Sequence, residues 1–268
     1  VPFENSSNGS VVFTLDLIGD IHGTHPDILV CGESYVAVKH CLLGHAIPNS
    51  VAQTPKNVVI DEKFTNPLAV PTSDLSKIKK LYSHPQAWGQ CKAFLSTYLK
   101  GVERQDVSST SKAAEIAAQD KSGESAALSS FVAADLFGLD VLAESINDHI
   151  GNATRFLVIR RKNSATSPPE SPLGSEYGGD GTWKTLVTFT VDHANPGALA
   201  HCLAAFEKYG LNLTSINTRP SGVRNWHYIF FVEFQGRMEE GGKVEGALRE
   251  LEEVASGWKW LGSWENRL

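Results

Sequence analysis

The alternation of apolar and polar positions is clearest in the last third of the chain. Leu186–Val191 (LVTFTV) reads as a strand of β-branched and aromatic residues. Asn195-Pro196 then predicts a helix start, with Asn as N-cap and Pro at the first helical position, where its missing N–H costs nothing. Leu199, Leu203 and Phe206 fall on one helical face, and Gly210 is placed to end the helix. Strands are expected at Leu211–Asn217 and Tyr228–Phe234. A charged helix over Lys243–Ala255 turns Val244, Leu248 and Leu251 inward, and a last strand runs through Trp258–Leu261. The predicted order is βαββαβ, a ferredoxin-like unit.

The first 160 residues mix helices with short β-like runs, an α/β pattern. VVIDEKF (58–64) and SAALSS (125–130) read as buried or half-buried strands. Ser-His-Pro-Gln, from Ser83 to Gln86, has the spacing of a capping box, with the helix continuing through Phe94 and Leu95. Ala113–Ala118 predicts a second helix and Ala133–Leu136 begins a third. Between Lys162 and Thr182 the chain is rich in Ser, Pro and Gly and poor in large apolar residues, which predicts a linker. The expected division is therefore 1–162, a linker over 163–183, and 184–268.

Composition narrows the function. The 268 residues are 41% hydrophobic and 20% charged, ordinary for a globular protein. A formal net charge of −6 disfavours a general nucleic-acid binder. No stretch approaches the roughly 18 unbroken apolar residues of a membrane span. Cys31, Cys41, Cys91 and Cys202 lack zinc or disulfide spacing, so buried reduced thiols and a cytoplasmic setting are expected. The chain opens on Val1-Pro2-Phe3 and its one methionine is Met238, so a fragment or a processed product is expected.

Familiar catalytic motifs are absent: there is no GxSxG, Walker loop, HExxH or dinucleotide fingerprint. The nine histidines show no metal-ligand spacing. What stands out is a set of short polar clusters beside apolar runs: Glu4-Asn5-Ser6, Gln90-Cys91, Ser109-Thr110-Ser111 and Thr154-Arg155-Phe156. Each alone reads first as a cap or a turn. Together they suit a pocket of neutral donors that would hold a dicarboxylate.

These clusters carry a resemblance. VPFENSSNGSVVFTLDL, SHPQAWGQCKAFL, SSTSKAAE and FGLDVLAESINDHIGNATRFLVI resemble, in order, motifs of the prephenate dehydratase family, including Asp148 upstream of Thr-Arg-Phe. NPGALAHCL and LTSINTRPS resemble the Gly-Ala-Leu and Glu-Ser-Arg-Pro motifs of the family's regulatory ACT domain. WHYIFFVEF follows as its aromatic strand. Asn217 and Thr218 stand where Glu and Ser are usual, while Arg219 and Pro220 are kept. The family's Gly-Pro-x-Gly-Thr motif, which precedes Glu-Asn-Ser, is not in the chain, so an incomplete first lobe is expected.

The resemblance implies a two-lobed, periplasmic-binding-protein-like catalytic domain with its site in the cleft. Its lobes would be 1–74 with 154–161, and 75–153, followed by the ferredoxin-like ACT domain. It implies dehydration and decarboxylation of prephenate to phenylpyruvate, with no metal or cofactor. Thr154 would act as donor to the departing hydroxyl. Glu4, Asn5, Ser6, Gln90, Ser109, Thr110 and Arg155 would hold the substrate, although Glu4 and Arg155 read equally as scaffold and Phe156 as core. Phenylalanine would act as effector at Asn195, Gly197, Ala198, Leu199, Asn217, Arg219 and Pro220, in a homodimer or homotetramer. An arogenate dehydratase and a non-catalytic amino-acid-binding regulator are the competing expectations.

Overall fold

A computed structural model describes residues 1–48, 50–51, 65–162 and 182–268. The predicted strand at 58–64 and most of the predicted linker lie outside them. The fold is mixed α/β. The chain opens with β1 (Pro2–Asn5), β2 (Gly9–Ser10), α1 (Val12–Gly19) and β3 (Ile28–Ala37). It continues through β4 (Cys41–Gly44), β5 (Lys80–Ser83), α2 (Pro85–Gln90), α3 (Lys92–Tyr98), β6 (Glu103–Asp106), α4 (Thr110–Gln119), β7 (Ser125–Ser129), α5 (Phe131–Phe137) and β8 (Asp140–Ala143). Then come β9 (Ala153–Arg161), β10 (Trp183–Thr190), α6 (Ala198–Lys208), β11 (Leu213–Pro220), β12 (Tyr228–Gln235), α7 (Lys243–Val254) and β13 (Gly257–Glu265).

Two compact units result: Val1–Val36 with Ala153–Leu268, and Ala37–Asn152. Residues 37–74 were expected with the N-terminal strands. The described ones among them fall in the second unit, where β4 pairs antiparallel with both β7 and β8.

The second unit holds a five-stranded sheet in the order β6-β5-β7-β4-β8. Alternation along β4 sends Leu42 to a core with Leu95 and Phe94, and Cys41 and Leu43 to a second core with Ala113, Ala117 and Ala134. Both faces are thus covered by helices, which explains why β4 and β7 read as unbroken apolar or small runs.

Two local expectations change here. Ser83 does not cap a helix. As the last residue of β5 it points inward and its hydroxyl donates to the Leu128 carbonyl at 2.9 Å. The cap passes to His84, whose Nδ1 accepts from the Gln86 N–H, and Pro85 takes the first helical position. The helix also does not run unbroken to Leu95. It stops at Gln90 and restarts at Lys92, because the Asp148 carboxylate accepts the N–H groups of Lys92 and Ala93 at 2.8 and 2.9 Å.

The first unit packs two four-stranded sheets face to face, β2-β1-β9-β3 and β11-β12-β10-β13. Residues 183–265 follow the βαββαβ order, and β10 pairs antiparallel with β12 and β13, as does β11 with β12. One face of that second sheet carries Val187, Phe189, Val232 and Phe234 against α6 and α7. Its other face sets Leu186, Phe231 and Trp264 against Phe3, Leu15 and Leu157. Each such side chain contributes about 1.5–3 kcal/mol when fully buried. The sheets approach closely at Gly262, at a register shift in β13 with φ of 142°. A Cβ there would sit 2.0 Å from the Val30 carbonyl oxygen, so no side chain fits.

The helix expected at Asn195-Pro196 begins later, at Ala198. Asn195 and Pro196 lie in successive turns, closed by Asn195 N–H to Asp192 O and Ala198 N–H to Asn195 O. Gly197, at φ 85°, makes the left-handed step into the helix.

Candidate functional site

Most of the first unit's candidates meet where β1 lies antiparallel to β9, with Asn5 opposite Thr154 and Glu4 opposite Arg155. The Asn5 carboxamide has a defined orientation. Its Oδ1 accepts the N–H groups of Ser7 and Asn8, both at 3.0 Å, so its Nδ2 faces β9. From there it donates to the Ala153 carbonyl at 3.2 Å and to Thr154 Oγ1 at 3.1 Å. Ser6 closes the same corner: its hydroxyl accepts the Ala153 N–H at 3.0 Å, and its own N–H donates to the Ala153 carbonyl. A hydroxyl that accepts from Asn5 keeps its proton to donate, and the accepted bond makes that proton a better donor. Thr154 Oγ1 is therefore held by Asn5, with its proton left to donate.

Alternation along β9 sends Arg155 to the opposite face. It is 6% exposed. Its Nε donates to Glu33 Oε2 at 2.8 Å, and Nη2 reaches Glu233 Oε2 at 2.5 Å. Lys184 Nζ adds a 3.2 Å contact to Glu33, which also accepts the Arg267 N–H at 2.8 Å. Two cations and two anions thus balance between the two sheets. Burial pushes the Glu33 carboxyl up, but Arg155, the Arg267 N–H and Lys184 outweigh it and hold the group below its ordinary 4.5. Burial likewise works against the Arg155 charge, and Glu233 and Glu33 more than offset it. The guanidinium, expected as a substrate ligand, is committed to this cluster. Glu4 stays at its edge, 4.0 Å from Arg155 Nη1. Phe156, expected in the core, is only half-buried.

The second unit's candidates occupy helix starts and junctions. Ser109 caps α4, its hydroxyl accepting the Lys112 N–H at 3.0 Å, and Thr110 is the first helical residue. Gln90 Oε1 meets His40 Nε2 at 2.8 Å, and its carbonyl accepts the Asp148 N–H. Burial lowers the His40 pKa, and the Gln90 bond only partly offsets this. β5, β6 and β7 run parallel, so α2, α4 and α5 all begin beyond the same edge of that sheet. Helix N-termini gathered at the carboxyl ends of parallel strands suit an anion.

The effector candidates separate into two places. Asn195, Gly197, Ala198 and Leu199 form the turn into α6. Asn217 and Arg219 lie on β11 and face the N-terminal sheet: Asn217 bonds the Ser10 hydroxyl, and Arg219 grips the Asp16 carboxylate through two bonds of 2.6 and 3.1 Å. Pro220 lines an open depression of about 620 Å³ with Trp226 and Tyr228. A neighbouring one of about 470 Å³ is lined by Asp192, His193, Ser221, His227 and Tyr228. All four cysteines are free, three of them buried. Among the described residues no helix is long and apolar enough to cross a membrane.

Glu33, Lys184 and Glu233 were not singled out in the sequence. The signal was present: Glu233 interrupts the apolar run Tyr228–Phe234, and a charge inside such a run needs a partner.

Fold and polar clusters together describe an α/β protein with a hydroxyl donor held between two strands. Residues 1–164 match the family model for prephenate dehydratase. The chain is 34% identical over 268 residues to the bifunctional chorismate mutase/prephenate dehydratase of Aquifex aeolicus, covering 100% of this chain and 61% of that protein. It is 32% identical over 252 residues to the prephenate dehydratase of Methanocaldococcus jannaschii, covering 94% of this chain and 75% of the other. A solved structure of prephenate dehydratase in complex with L-Phe from Arthrobacter aurescens is similar with a TM-score of 0.74 at 28% identity, over 100% of this chain and 74% of that one. The chain belongs to the prephenate dehydratase family.

Proposed function

We propose that this chain catalyses the decarboxylating dehydration of prephenate to phenylpyruvate, with Thr154 as the donor to the departing ring oxygen. Loss of CO2 and water makes the ring aromatic, so the reaction is strongly downhill and its barrier lies in expelling hydroxide. A hydroxyl that donates to that oxygen as its charge grows lowers the barrier. A threonine is a weak acid, so positioning must supply much of the rate. The observation that carries this reading is the Asn5 Nδ2 to Thr154 Oγ1 bond of 3.1 Å, which holds the oxygen and leaves its proton available to donate.

Glu4 and Ser6 in the first unit, and Gln90, Ser109 and Thr110 in the second, are proposed to supply donors for the carboxylates and the keto group. The finer fold reading belongs with this proposal: residues 1–162 as a two-lobed, periplasmic-binding-protein-like catalytic domain, and 184–268 as a ferredoxin-like ACT domain that senses phenylalanine. The Asp192–Leu199 turn and the adjoining depression support an amino-acid site. It has room for a phenylalanine-sized ligand, a carboxylate at Asp192, and aromatic walls at His227 and Tyr228.

The test is turnover of prephenate followed by phenylpyruvate formation, beside arogenate in parallel. Thr154→Ala should lose about 100-fold or more of kcat while staying folded. Near-parental turnover in that variant would remove Thr154 from the mechanism, and a preference for arogenate would reassign the substrate.

A further inference from the structure

Thr154 and Arg155 are neighbours on β9, so the proposed donor and the buried guanidinium share one peptide unit and point to opposite faces of the strand. The guanidinium holds two carboxylates from different sheets, Glu33 of β3 and Glu233 of β12. Glu233 is in turn held by the Thr214 hydroxyl of β11 at 2.8 Å. The same strand β11 reaches the N-terminal elements twice more, through Asn217 to Ser10 of β2 and through Arg219 to Asp16 of α1. A displacement of β11 or β12 therefore acts on Arg155, and through the backbone on Thr154. Glu33, Arg155, Lys184 and Glu233 are all buried, so their charges are little screened by water, whereas the Arg219–Asp16 pair is partly exposed.

The geometry points to Arg155 as a positioning residue that ties the placement of the Thr154 hydroxyl to the state of the βαββαβ module through the Glu33–Arg155–Glu233–Lys184 cluster. This rests on the proposed role of Thr154. It assigns the arginine of Thr-Arg-Phe to communication between the sheets and not to substrate. An error of about 1 Å in the donor costs about 100-fold in rate, so small movements of the cluster suffice to modulate turnover. A ligand on the βαββαβ module changes the rate to the extent that it favours one arrangement of β11 and β12 over another.

The decisive variant is the double substitution Lys184→Met with Glu233→Leu. It removes one cation and one anion, leaves Arg155 paired with Glu33, and keeps the buried charge balanced. Glu233→Gln, which retains hydrogen-bonding capacity, is the second variant should the first not fold. Relative to the parent, kcat for prephenate should fall about tenfold or more with KM within about twofold. Phenylalanine, still binding by calorimetry, should no longer change kcat. A folded variant with parental kcat and parental response to phenylalanine overturns the relay while leaving the dehydratase reading intact. A parent that does not turn over prephenate overturns the dehydratase reading. The relay is then judged by hydrogen exchange of the amides at 153–157, expected about tenfold faster in the variant, and equal exchange overturns it.

Discussion

Buried polarity is handled differently in the two units. In the first, four ions meet between two sheets, and each anion answers to both cations. In the second, the buried polar groups among the described residues are the His40 imidazole, serine hydroxyls, the Asn147 and Asn152 carboxamides and the Asp148 carboxylate, which accepts backbone N–H groups. His40 meets Gln90, Asn147 Oδ1 accepts the His40 N–H at 2.7 Å, and Asp148 starts a helix. The first arrangement stores large opposed energies, so loss of one member is expensive. The second spreads smaller contributions over many bonds, each worth about 1 kcal/mol. The proposed donor Thr154 sits beside the first kind, and the junction between α2 and α3 is held by the second.

The sharpest way to break this comparison is Glu33→Ala. It leaves Arg155 and Lys184 sharing Glu233, and should destabilise the first unit by about 3–5 kcal/mol. Denaturant unfolding of parent and variant measures it. A loss under 1 kcal/mol would mean the cluster is solvated or rearranges, and the contrast between the units would vanish. Asp148→Ala comes next. It strips the first turn of α3 of its acceptor and should cost about 1–2 kcal/mol, read from the same experiment, with exchange protection lost first at Lys92 and Ala93.

The smallest effect is the most selective, and it is a matter of pH. Glu33 has a folded value below its ordinary 4.5, so unfolding takes up a proton there. Its stabilisation is present above about pH 4.5 and drains as pH falls through the depressed folded value. His40 also has a folded value below its ordinary 6.5, so between the two the unfolded chain again holds the extra proton. Stability of the second unit should start to fall as soon as pH drops below about 6.5, while the ion cluster of the first is still intact. Thermal melts from pH 7 to 4, with exchange resolved by unit, would show the second loosening earlier. In His40→Gln the early slope should disappear.

Much of this fold was legible because the relevant signals are local. The period of 2 in LVTFTV and the inward face of Val244, Leu248 and Leu251 fix β10 and α7 to within a few residues. The polar clusters at Asn5, Ser109 and Thr154 were legible as clusters. Their partners were not, because those come from distant positions. Nothing near Ser83 announces that the Leu128 carbonyl will claim its hydroxyl, or near Cys91 that Asp148 will split the helix. Arg155 was the ambiguous case. Its sequence neighbourhood suits a ligand and a scaffold equally, and only the strand's alternation together with Glu33 and Glu233 decides which face it serves.

The sheet of residues 183–265 has no spare side, and this limits what can be done with it. Anyone wishing to transplant this βαββαβ module onto another protein could not cut between Lys162 and Thr182 and expect a ready-made part. The excised piece would carry a bare greasy surface, Leu186, Phe231 and Trp264, with Lys184 and Glu233 stranded beside it. A workable graft would have to bring the facing strands along, including the one that bears the proposed donor.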